Sequence, residues 1–144
     1  MAYRDQSAFL ANETNKCALV AMTITSLQAA GFCVHQADDD ADTLVVKVAL
    51  QLAVNNTVVS VIANNTDILI MLVAHYQPHM TDIYMYTVSG QNVTSIGAVA
   101  VRLGESVTRR LLVIHAISGC DTTSCLFGCG KIGVFQQAQQ MGRY

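Results

Sequence analysis

Twice along this chain a strand-length apolar run meets a short turn carrying aspartate, and a helix-length apolar run follows. The first instance is FCVHQA (32–37), DDDAD (38–42) and TLVVKVALQLAV (43–54). The second is TVVSVIA (57–63), NNTD (64–67) and ILIMLVAHY (68–76). Strands alternating with helices predict an α/β fold with a central parallel sheet. β-branched runs such as TVVSVIA have the length and apolarity of strands buried on both faces. In such sheets ligands bind outside the carboxyl ends of the strands. Those are the places where this sequence puts its aspartates.

The remaining elements follow from the same cues. Leu19, Met22, Ile24, Leu27 and Ala30 recur at near-helical spacing, which predicts a helix over 14–30 with Gly31 as its stop. DIYMYTVS (82–89) reads as a third strand. A turn-rich segment then leads into a helix within LGESVTRRLLVIHAISG (103–119). SGCDTTSCLFGCGKIG (118–133) reads as a glycine-punctuated loop and VFQQAQQMG (134–142) as a last short helix. The 144 residues predict one domain, with no repeat, low-complexity tract or linker.

Apolar residues make up 52% of the chain and charged ones 12%, against an ordinary charged share of about a quarter. A heavily buried domain follows. The net charge of −2 gives no global attraction to nucleic acid or membrane. No apolar run approaches the ~18 residues of a membrane span, and the N-terminus lacks a signal-peptide layout. The expected location is intracellular, with the nucleus as one candidate compartment. The N-x-T triplets at Asn12, Asn55, Asn64 and Asn92 are then not glycan acceptors, and the five cysteines are mostly free thiols.

Against that background, four acids within five residues (Asp38, Asp39, Asp40, Asp42) need a reason. One aspartate can cap a helix, and acids in a first turn complement the helix dipole. Four cannot all cap, and they repel one another, so the cluster favours cation binding. An EF-hand loop requires a central glycine and a closing glutamate, and counted from Asp38 those places hold Thr43 and Ala49. The D-x-D-x-T pattern of aspartyl-phosphate phosphatases fails too, because Asp42 runs directly into Thr43. What remains is a magnesium or manganese site assembled from several strand ends. Two such ions about 4 Å apart can bind a phosphodiester and activate water on it.

ADDDADTLVV, VIANNTDILIML and LLVIHAISGCDTTSCLFGCGK resemble, in that order, motifs of the PIN-like flap-endonuclease superfamily, in particular its transposon-associated invertebrate branch. The resemblance covers residues 9–137. It implies a three-layer α/β/α PIN-like fold, here lacking the first strand. It implies magnesium- or manganese-dependent phosphodiester hydrolysis on DNA or RNA. Asp40 and Asp42 match the family's paired E-A-E acids, Asp67 the second acid of its D-x-D, and Asp121 the acid of its G-C-D. These four are the implied catalytic and metal-holding residues, with Asn65 and Asp39 in support. Gly128, Gly130 and Lys131 match the turn of a helix-turn-helix that grips a DNA phosphate, so residues 122–141 resemble the start of that element. Glycines there let a phosphate approach bare backbone. Two departures stand out. Asn65 occupies the place of the other D-x-D acid, and no apolar strand precedes the first helix. An alternative therefore stays open, a non-catalytic PIN-like remnant that binds nucleic acid or a protein.

Other residues carry weaker signals. His115, Cys120, Cys125 and Cys129 lack the C-x-x-C pairing of a zinc site, so His115 reads as a core histidine. Ser118 and Ser124 lie in no nucleophile elbow. Arg109 and Arg110 read as a solvated helix face.

Overall fold

The computed structural model describes residues 6–55 and 58–118. The chain divides into two compact units, Met1–Asp38 and Asp39–Tyr144.

In the first unit, α1 (Gln6–Leu10) leads into α2 (Glu13–Ala29). Asn12 caps α2 by accepting from the Asn15 N–H at 3.2 Å. The end of α2 is closed by two reversed bonds, Phe32 N–H to Leu27 O and Gly31 N–H to Gln28 O, both 3.0 Å. Gly31 takes a φ of 87° there, a conformation that side-chain-bearing residues resist. The expected stop at Gly31 is thus the observed one. FCVHQA, expected as a strand, is neither strand nor helix. A strand exists only through its ladder, and among the described residues the three strands that form one all lie further along the chain.

The second unit contains α3 (Ala41–Val54), β1 (Val59–Ile62), α4 (Thr66–His75), β2 (Ile83–Tyr86) and β3 (Val93–Ser95). Then follow α5 (Ile96–Leu103), α6 (Glu105–Thr108) and α7 (Leu111–Ser118). The sheet order is β1-β2-β3. β1 and β2 run parallel, from Val59 opposite Ile83 to Ile62 opposite Tyr86. β3 runs antiparallel to β2, with Tyr84 opposite Ser95 and Tyr86 opposite Val93. The architecture is therefore mixed α/β. The expected parallel sheet is corrected to a mixed one, because β3 and α5 lie in the segment that the glycines and polar residues had marked as turn. The helix expected within 103–119 is likewise two, α6 and α7. Among the described residues no helix is long and apolar enough to cross a membrane.

The core lies between α3, α4 and one face of the sheet. Val46, Ala49 and Ala53 of α3, Ile68, Leu72 and Val73 of α4, and Val59, Val61, Ile83 and Met85 of the strands pack together with Ile96 and Leu111. Along β1, Val59 and Val61 are buried while Ser60 and Ile62 are exposed. β1 is therefore packed on one face, not on the two that its apolar sequence suggested.

One carboxylate holds the far end of this unit. Asp82 stands before β2, and its Oδ1 accepts from the Ile83 and Gly97 N–H groups at 2.9 and 2.8 Å. Its Oδ2 accepts from the Ser95 hydroxyl at 2.6 Å, and Ser95 in turn caps α5 by accepting from the Ala98 N–H at 3.0 Å. The Tyr76 hydroxyl is held above its ordinary pKa by burial, then by the neighbouring Asp82 and Tyr84. A Cβ at Gly97 would lie 2.9 Å from both Asp82 Oδ1 and the Tyr76 hydroxyl oxygen. Gly97→Ala is therefore expected to destabilise the protein by about 2 kcal/mol, the usual cost of overpacking. Urea unfolding checks this, and an unchanged midpoint would contradict it.

Candidate functional site

The acidic turn and the NNTD turn both lead into helices, and Asp39–Asp42 of the first and all of the second lie in the second unit. Asp40 caps α3. Its Oδ1 accepts from the Asp42 N–H at 3.3 Å, and its Oδ2 accepts from the Thr43 N–H at 2.9 Å and the Thr43 hydroxyl at 2.5 Å. These bonds, that from the Thr43 side chain first, hold the Asp40 carboxyl below its ordinary pKa. Asn65 caps α4, its Oδ1 accepting from the Asp67 N–H at 2.8 Å. Asp42 and Asp67 each fall in a first turn, where negative charge complements the helix dipole. Asp38 and Asp39 are exposed.

The two turns meet. The Asn65 side-chain amide donates to Asp42 Oδ2, so one residue caps α4 and ties it to the start of α3. Asn64 Oδ1 accepts from the Val88 N–H at 2.8 Å and fixes the chain beyond β2. From α7, His115 Nε2 reaches Asp67 Oδ1 at 2.9 Å. Asp42, Asn65, Asp67 and His115 therefore form one polar cluster just past the carboxyl end of β1, where an α/β sheet carries its ligands.

Of the residues expected to act together, the structure brings Asp42, Asn65 and Asp67 into one place. Asp40 stands next to them as an exposed cap, which is the plainest of the roles weighed for an aspartate there. Asp121, Gly128, Gly130 and Lys131 lie outside the described residues, as does 122–141. The sequence did not flag His115 as part of the cluster. Its only signal was a titratable residue in the otherwise apolar helix LLVIHAIS. Arg109 pairs with Glu105 one turn earlier, with both side chains about three-quarters exposed, and such pairs contribute little.

The donors suit a hard cation in kind, being carboxylate and amide oxygens. In number they fall short. Among the described residues no three His, Cys, Asp or Glu side chains group closely enough to hold a metal ion. The described part of the cluster supplies two carboxylates and one amide oxygen, and a third acid has to come from elsewhere. The chain matches no protein-family model, no curated protein and no solved structure.

Asp40 gives the cluster an acid-sensitive edge. Its carboxyl has a lower pKa when folded than when unfolded, so its contribution is complete above the ordinary carboxylate range. That contribution is lost as pH falls through the depressed value. Asp40→Asn, which keeps a good cap, is expected to flatten the acid limb of the stability–pH curve, while Asp40→Ala lowers stability near neutrality as well. Thermal unfolding between pH 2 and pH 7 reads both effects. A wild-type acid limb in Asp40→Asn would contradict the assignment.

Proposed function

We propose that this chain is a PIN-like nuclease domain of the flap-endonuclease type, with a three-layer α/β/α fold, that hydrolyses phosphodiesters in DNA or RNA with magnesium or manganese. The observation that carries the reading is the joining of Asp42 and Asp67 through Asn65 at the carboxyl end of β1. Acids 25 positions apart thereby share one place, as an assembled cation site requires. Asp40, Asp42, Asp67 and Asp121 would hold the metal, with Asn65 and Asp39 in support. Bound there, the ion supplies Lewis acidity toward a phosphate oxygen and a more acidic water. The chain's own part is to fix the carboxylates. The start of α3 aims Asp42, the Asn65 cap sets the first turn of α4, and His115 holds Asp67. Gly128, Gly130 and Lys131 would take a backbone phosphate.

The test is cleavage of labelled single- and double-stranded DNA and RNA in magnesium or manganese, with a chelator control. The proposal expects metal-dependent cleavage that is lost in Asp67→Ala. Cleavage that survives Asp67→Ala, or none with any substrate, would overturn it.

One observation favours a second reading, a non-catalytic domain that binds nucleic acid or a protein. Both central carboxylates already have partners in the chain, Asp42 the Asn65 amide and Asp67 the His115 ring. In that reading Asn65 is a structural clasp, and nucleic acid, if bound, leaves uncut.

A further inference from the structure

We propose that β1 is a docking edge for a second copy of this chain, whose own β1 pairs with it antiparallel about Ser60 and joins the two sheets into one. The proposal stands apart from the cation-site reading.

β1 lies at one end of the sheet order and has β2 on one side only. Main-chain groups alternate sides along a strand. The Ala63 N–H donates to Tyr86 O at 3.0 Å, so the odd-numbered residues of this run face β2. Ser60 and Ile62 therefore turn their N–H and C=O groups outward, where no described residue pairs with them. Such a row is a template for another strand, and proteins commonly guard it with charge or proline. β1 has neither guard, since no charged residue and no proline occurs from Val48 to Thr66. The other edge, β3, is only three residues long and runs straight into α5.

The sequence of the edge selects the occupant. A contact about a two-fold axis must be self-complementary. Val58-Val59-Ser60-Val61-Ile62 meets that condition, because it reads nearly the same in both directions. In antiparallel pairing about Ser60, Val58 of one copy stands opposite Ile62 of the other, and Val59 opposite Val61. Val58 and Ile62 share the open face and are 64% and 71% exposed, so each such pair joins two side chains that the single chain leaves in water. Val59 and Val61 are buried on the other face, so the helix layers of both copies fall on one side of the joined sheet. On that side α3, which packs on β1, adds exposed Val45 and Leu52, seven positions apart on one helix face. With no charge on the edge, two identical copies meet there without like-charge repulsion.

Sedimentation equilibrium of the full chain at rising concentration tests this. Wild type is expected to pass from monomer to dimer and to stop there, since each β1 edge is used once. Ile62→Lys and Val58→Glu are each expected to weaken the dimer about tenfold, because the two-fold repeats the lost apolar pair. Both positions are exposed, so each variant is expected to fold, which circular dichroism checks. The double variant sets lysine opposite glutamate at both pairs and is expected to recover most of the wild-type association. Ser60→Pro, whose lost N–H points away from β2, is expected to abolish the dimer while keeping the fold. Amide exchange on wild type gives a second reading, in which the Ser60 and Ile62 N–H groups slow as the dimer forms. Wild type that stays monomeric at every concentration, a dimer that these variants leave unchanged, or exchange at Ser60 and Ile62 that does not slow would overturn the proposal. Growth beyond a dimer, or a double variant as weak as the single ones, would overturn the pairing about Ser60.

Discussion

Leu72→Ala is expected to cost about 3 kcal/mol of stability, within the range for emptying a fully buried leucine site. Leu72 is 0% exposed in α4 and packs among residues of α3, the sheet and α5. The neighbouring core is also closed, with Val73 at 2%, Ile83 at 0% and Ile96 at 0% exposure, so little can move in to fill the space. A domain of this size has a total stability of roughly 5–15 kcal/mol, so a large share of it goes with one side chain. Since α4 also carries Asn65 and Asp67 at its start, the loss should extend to any ligand binding there. Urea unfolding with and without manganese checks both points. A loss under about 1 kcal/mol would mean that the core is looser than the packing described above.

Asn65→Asp has the second large effect, and its sign depends on the cation. The substitution removes the amide that donates to Asp42 and sets a carboxylate against a carboxylate. Losing that donor weakens the hold on Asp42, and the like charge adds to the cost. The cap itself survives, since aspartate caps as well as asparagine. Without metal the variant is therefore expected to be less stable than wild type. With metal the same change adds a hard, charged oxygen donor, and the variant should bind manganese more tightly. At a free concentration of a hundred times Kd, binding alone returns about 2.7 kcal/mol. The expected pattern is a lower melting temperature in chelator and a larger rise on adding manganese than wild type shows. Destabilisation that manganese does not reverse would favour the structural clasp.

Parts of both units were legible because their apolar runs are bounded by residues with one good local use. Asn12 and Asn65 cap helices and Gly31 ends one, each through short-range bonds that the sequence encodes directly. The segment 32–37 misled for the opposite reason. Its composition suits a strand, but a ladder needs a partner, and a partner is a long-range fact. β3 and α5 were hidden by Gly97, which the sequence presents as a turn residue. In the fold it is the one residue small enough to sit against Asp82 and Tyr76. The site divides in the same way. Asp42, Asn65 and Asp67 stood out as polar residues at strand ends. The bond that holds Asp67 comes from His115, whose apolar helix gave no hint of what it faced.

The central claim is that acids distant in sequence hold one cation. Manganese titration of wild type and of the Asp67→Ala, Asp121→Ala double variant tests it most directly, with circular dichroism to confirm folding. Binding by wild type that is lost in the folded double variant is the predicted result. Equal binding in both proteins, or none in either, would contradict the claim and leave these aspartates as helix caps and loop charge.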